Sequence, residues 1–89
     1  MIKKQELLST EDESFFRTFD LGLTAALVAL EETIDAIDKG PRSNKAEFVF
    51  KRTVSLEQIV AEYWDYDLAI EPQSYFNALK AVKNRLYSS

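Results

Sequence analysis

The chain contains no cysteine and no histidine, only two glycines and two prolines, and no long apolar run. Each absence closes off some chemistry. Without cysteine there is no disulfide framework, thiolate zinc site or thiol nucleophile, which is compatible with a reducing compartment. Without histidine the chain lacks the commonest metal ligand and the commonest general base near neutral pH. Two isolated glycines, Gly22 and Gly40, cannot build a glycine-rich phosphate loop. The longest apolar stretch, from Leu23 to Leu30, covers eight residues and is interrupted by Thr24, whereas a bilayer-spanning helix needs roughly 20. Met1 to Leu8 carries Lys3, Lys4, Gln5 and Glu6 and has no apolar block of the signal-peptide kind. A cytoplasmic protein with no membrane contact is expected.

What is present points to one small folded domain. The 89 residues are 46% apolar and include six Phe, four Tyr and one Trp, which is enough to form a core. A chain of this size buries only about 60–65% of its extended surface, so pairing with a second copy is a ready source of extra stability. The net charge of −4 is unevenly spread. Residues 1–40 carry −5, residues 41–52 carry +3, residues 53–71 carry −5 and residues 72–89 carry +3. Overall acidity opposes nonspecific attraction to nucleic acid or anionic lipid, while the two basic segments form a patch only if the fold brings them together.

Along the chain, residues 1–13 are polar and end in Glu11-Asp12-Glu13, which predicts a mobile N-terminal arm preceding a single domain over 14–89. Ser14 to Phe19 is β-prone and short, hence a strand. Asp20 is a good N-cap, and Leu23, Ala26, Leu27, Leu30, Ile34 and Ile37 recur at helical spacing. This predicts a long helix from Asp20 to Asp38, stopped by Lys39-Gly40-Pro41. Arg42-Ser43-Asn44 reads as a turn and Ala46 to Thr53 as a strand with Phe48 and Phe50 on one face. Ser55-Leu56-Glu57-Gln58 matches a capping box, so a second helix starts there and ends by Asp65-Tyr66-Asp67. Leu68-Ala69-Ile70 is a candidate short strand. Pro72 opens a third helix whose apolar positions are Tyr75, Phe76, Leu79, Val82 and Leu86. The expected fold is α+β, in the order β-α-β-α-(β)-α, with three helices packed on a two- to three-stranded sheet.

Three groups of segments carry a resemblance. They are Phe16-Arg17-Thr18-Phe19-Asp20-Leu21 leading into Ala25-Ala26-Leu27, then Glu47-Phe48-Val49-Phe50, and finally Pro72 with Tyr75 to Lys80 and Lys83 to Tyr87. Together they are similar to an uncharacterised family of short bacterial and phage-borne domains, over roughly residues 15–87. The resemblance implies a compact accessory domain, often on mobile DNA, and brings no catalytic residues with it. In that family a glycine is common after the first helix's apolar stretch, where this chain has Glu31-Glu32-Thr33.

Candidate sites are few. Glu31, Asp35 and Asp38, spaced along the expected helix, read as a solvated face, because all-oxygen metal sites draw on loops or several elements. Asp65 and Asp67 read as a helix end and turn. Glu62 and Asp65 form no acid-base pair without a desolvating cleft, and no serine sits in a nucleophile elbow. No enzyme, metal or cofactor is expected. Tyr63, Trp64 and Tyr66 are the main partner-binding candidates, since neighbours at i and i+1 cannot both enter one core and Tyr and Trp are enriched at binding hot spots. A second set, Lys45, Lys51, Arg52, Lys80, Lys83 and Arg85, serves the alternative of a nucleic-acid-binding accessory protein using the basic strand and last helix. The favoured reading is a non-catalytic binding module that self-associates and acts through protein contacts, by its aromatic cluster and an exposed strand edge. Third in rank is an acidic inhibitor of a host nucleic-acid-binding enzyme.

Overall fold

The computed structural model describes residues 14–40 and 45–88, in the order β-α-β-β-α-α. The expected arm over residues 1–13 and the expected turn over 42–44 lie outside the described residues. Strand β1 is Phe15–Thr18, helix α1 Leu21–Ala29, β2 Ile34–Asp38, β3 Glu47–Lys51, α2 Val54–Trp64 and α3 Pro72–Ser88. The three strands form one antiparallel sheet in the order β1-β3-β2, so β1 and β2 are its edges. The α+β class is as expected. Two elements differ from the sequence reading: the long helix stops at Ala29, its last third being strand β2, and Leu68-Ala69-Ile70 is not a strand.

Helix α1 begins where Asp20 Oδ1 accepts the Leu23 N–H at 2.8 Å. It ends in a left-handed residue, Glu31, at φ 75°. The Glu31 N–H reaches the Val28 carbonyl at 3.0 Å and the Glu32 N–H the Leu27 carbonyl at 2.9 Å, the two bonds of a Schellman motif. Glycine normally takes that position, and Glu31 takes it here at some steric cost. Five consecutive residues of α1, Leu23 to Leu27, are buried, so the helix is enclosed on all sides rather than along one stripe. It packs against α2 and α3. Thr24 is the one polar residue among those five, and its hydroxyl donates to the Asp20 carbonyl at 2.9 Å.

The sheet closes the core from the other side. Phe16 and Thr18 of β1 pair with Phe50 and Phe48, and Ile34 and Ile37 of β2 pair with the same two residues. All six therefore face the helices, and Phe48, Phe50 and Ile34 are buried in one cluster with Leu23, Leu27, Leu56, Ile59 and Val82. A bulge at Asp35 allows this arrangement, because the extra residue puts Ile34 and Ile37, three apart, on one face. The opposite face carries Phe15, Arg17, Glu47, Val49 and Lys51, with Arg17 and Glu47 paired at 3.4 Å.

Helix α2 starts earlier than the capping box implied. Thr53, not Ser55, is the N-cap, and its Oγ1 accepts the Leu56 N–H at 3.0 Å. Ser55 instead donates to Glu32 at 2.6 Å, tying the start of α2 to the end of α1. Helix α3 opens on Pro72 as expected, with the Glu71 carboxylate accepting the Ser74 N–H at 2.8 Å. That backbone bond holds the Glu71 carboxyl below its ordinary range. Among the described residues no helix is long and apolar enough to cross a membrane.

Candidate functional site

The aromatic cluster is built by the way α2 ends. Asp65 caps the helix, Tyr66 takes a left-handed φ of 62°, and the Asp67 N–H returns to the Glu62 carbonyl at 2.9 Å, a second Schellman motif without glycine. The turn sends neighbouring aromatics in different directions. Tyr63 is half-buried, Trp64 is 56% exposed and Tyr66 is 96% exposed. The Tyr63 and Trp64 rings meet edge to face, 5.0 Å between centroids. Expectation and structure agree that one of the adjacent pair is left outside.

Tyr63 reaches inward to the start of α1, where its hydroxyl donates to Asp20 Oδ1 at 3.3 Å. From α3, Tyr75 donates to the Gly22 carbonyl at 3.2 Å. Two tyrosines from two helices thus clasp the first turn of the enclosed helix. Beside them lies a hollow of about 380 Å³ lined by Ala26, Tyr63, Tyr66, Leu68, Ile70, Pro72 and Tyr75. Burial, and next the Asp20 carboxylate, push the Tyr63 hydroxyl above its ordinary value of 10.0. The folded state thus holds this proton more tightly than the unfolded chain. The associated stability is intact below about pH 10 and is lost as the pH rises through the raised value.

Gly22 makes the clasp possible. A Cβ there would lie 2.7 Å from the Tyr63 hydroxyl, 3.3 Å from Asp20 Oδ1 and 3.4 Å from the Tyr75 hydroxyl. Gly22→Ala is therefore expected to cost about 1 kcal/mol, through displacement of the Tyr63 hydrogen bond, although alanine is the better helix former. In a Tyr63→Phe background the obstructing oxygen is gone, and the same change should instead stabilise by about 0.5–1 kcal/mol. Urea melts of the four proteins read this sign reversal. An equal effect in both backgrounds would refute the clasp.

The cations do not gather into one patch. Lys45 lies at a hollow it shares with Leu86, so one end of the basic strand does reach the last helix. At the other end of β3, Arg52 pairs with Glu57 at 3.1 Å and stacks on Phe16, while Lys51 adjoins Glu31 and Asp35. Arg85 borders Glu32 and Ile34. Lys80 and Lys83 stay on the outer face of α3, with Lys80 5.2 Å above the Phe76 ring. The three acids of the expected helix face fall on different elements: Glu31 follows α1 and Asp35 is the bulge, the two lining one hollow with Lys51, while Asp38 closes β2.

Sequence reasoning missed two things. Tyr75, Leu68 and Ile70 belong with the aromatic cluster, and only the fold back of α3 onto α1 brings them there. Phe76, counted among the apolar positions of the last helix, is 57% exposed. The wheel carried that signal: Phe76, Lys80, Lys83 and Tyr87 recur at i, i+4, i+7 and i+11, apart from the face of Ala78 and Val82.

Neither the curated proteins nor the solved structures include a match to this chain. The model of a domain of unknown function, DUF5659, matches residues 13–88, and the chain belongs to that family.

Proposed function

We propose that this domain is a non-catalytic accessory module that self-associates and acts through protein contacts, with the aromatic end of α2 as its principal surface. The observation that carries the reading is Tyr66. A large aromatic side chain is 96% exposed on a left-handed backbone, a position that glycine would fill without strain. Exposed Trp64 stands two residues away and an apolar hollow lies alongside. Exposed Tyr and Trp beside a hollow are the usual anchors of protein interfaces. Strain retained at such a place supports a binding role. The reading extends to a cytoplasmic setting and to a phage or mobile-element origin, as the family resemblance implies.

Nucleic-acid binding ranks second. Lys51 and Arg52 have acidic neighbours, Arg52 being paired with Glu57, which leaves a smaller basic surface than the sequence allowed. Light scattering at micromolar concentration is expected to give about twice the chain mass of 10.2 kDa. Replacing Trp64 and Tyr66 with serine should return the monomer. A strict monomer for the unaltered chain across that range would sink the reading.

A further inference from the structure

The outer face of α3 carries a feature that the proposed function does not use. Phe76 and Tyr87, 57% and 77% exposed, bracket Lys80 and Lys83 along about 16 Å of helix. Six large apolar or aromatic residues are strongly exposed among the described residues, and four of them lie either on this stripe or at the aromatic end of α2. The two surfaces are alike in kind and opposite in charge. Residues 53–71 hold five acids and no base, whereas residues 72–89 hold three bases and no acid. Glu62, Asp65 and Asp67 stand exposed around Trp64 and Tyr66. Among the described residues, neither these acids nor Lys80 and Lys83 enter an ion pair within the chain.

Resting on the self-association reading above, we infer that the occupant of the aromatic end of α2 is the basic aromatic stripe of α3 from a second copy. Charge decides against the simplest alternative. Pairing stripe with stripe about their midpoints would bring Lys80 and Lys83 of both copies together, and like charges at an interface are penalised. Pairing stripe with acidic end places opposite charges across the contact and covers Trp64, Tyr66, Phe76 and Tyr87. Pro72 and Tyr75 line the hollow beside Tyr66, so the acidic end and the basic stripe follow one another along the molecule. A two-fold axis near Phe76 then makes the contact twice and closes the assembly as a dimer.

The test uses two exposed double substitutions in the full chain, Lys80→Glu with Lys83→Glu, and Asp65→Lys with Asp67→Lys. Circular dichroism and thermal melts confirm that each remains folded. In sedimentation velocity each variant alone should dissociate, with its dimer weakened about tenfold or more by like charges in both contacts. Their equimolar mixture should regain the dimer, because both contacts then join opposite charges. If the unaltered chain is a dimer and either variant stays dimeric alone, or the mixture fails to recover, the inference falls while self-association stands. If the unaltered chain is monomeric, self-association itself falls and the inference with it. A single-stranded oligonucleotide probe, followed by fluorescence anisotropy, tests the competing occupant. Binding by a monomeric chain that is lost on Lys80→Glu with Lys83→Glu would overturn the inference and assign the stripe to nucleic acid.

Discussion

Replacing Phe50 with alanine is expected to remove about 3–5 kcal/mol of folding stability, and replacing Phe48 about as much. Both rings are essentially inaccessible, and both sit at the centre of the sheet, where β1 and β2 each pair against them. Truncation would open a cavity bounded by Leu23, Leu27, Ile34 and Leu56, residues that a rigid sheet and an enclosed helix cannot draw inward. Small domains have in total only about 5–15 kcal/mol to lose, so these variants should lie close to unfolding at room temperature. Phe50→Leu, which keeps most of the volume, gives the graded comparison and should lose less than half as much. A denaturant midpoint unchanged by Phe50→Ala would refute burial.

Leu27→Ala is the second large effect, expected to cost about 2–5 kcal/mol. Leu27 is buried within a run of five enclosed residues, and its carbonyl also accepts the Glu32 N–H that turns the chain out of α1 toward β2. The side chain fills the space between sheet and helices, and the backbone fixes where the next strand begins. Leu30, three residues on and only half-buried, is the control, and Leu30→Ala should cost clearly less. Equal losses at the two sites, measured by urea titration, would show that α1 is not the enclosed element described above.

The two aromatic strand positions were legible because alternation in a strand is unambiguous: Phe48 and Phe50 share a face whatever lies above it. The caps at Asp20 and Pro72 were legible because a side-chain acceptor and a missing N–H act locally. The end of α1 was not legible, for a specific physical reason. A bulge inside β2 separates two core residues, Ile34 and Ile37, by three positions, and that spacing continues the helical series of Leu23, Leu27 and Leu30. The usual stop signal, a glycine after the last turn, is replaced by Glu31 in the left-handed region. Helical period and missing glycine pointed to the same wrong boundary.

The candidate site divides along similar lines. That one of Tyr63 and Trp64 must be left outside follows from helix geometry alone, and Trp64 is the exposed one. That Tyr63 binds Asp20, forty-three positions away, depends on how α2 packs against α1, and no local pattern announces it. The basic set of Lys45, Lys51, Arg52, Lys80, Lys83 and Arg85 was assembled from charge alone. Lys45 lies before β3 and Lys51 ends it, so the length of the extended strand keeps the two apart.

The unequal edges of the sheet limit how copies can join by strand addition. Edge strand β2 presents a bulge and the exposed carboxylates of Asp35 and Asp38, a combination that refuses a further strand by geometry and by repulsion. Edge strand β1 has neither, and its single charge, Arg17, is tied to Glu47. Among the described residues, each molecule therefore has one valence for backbone pairing. Two copies joined through β1 would present only β2 at both outer margins, and the doubled sheet could not be extended. Fibrils need a template at each end of every unit. With one edge already closed, this fold has a chain terminator built into its sheet.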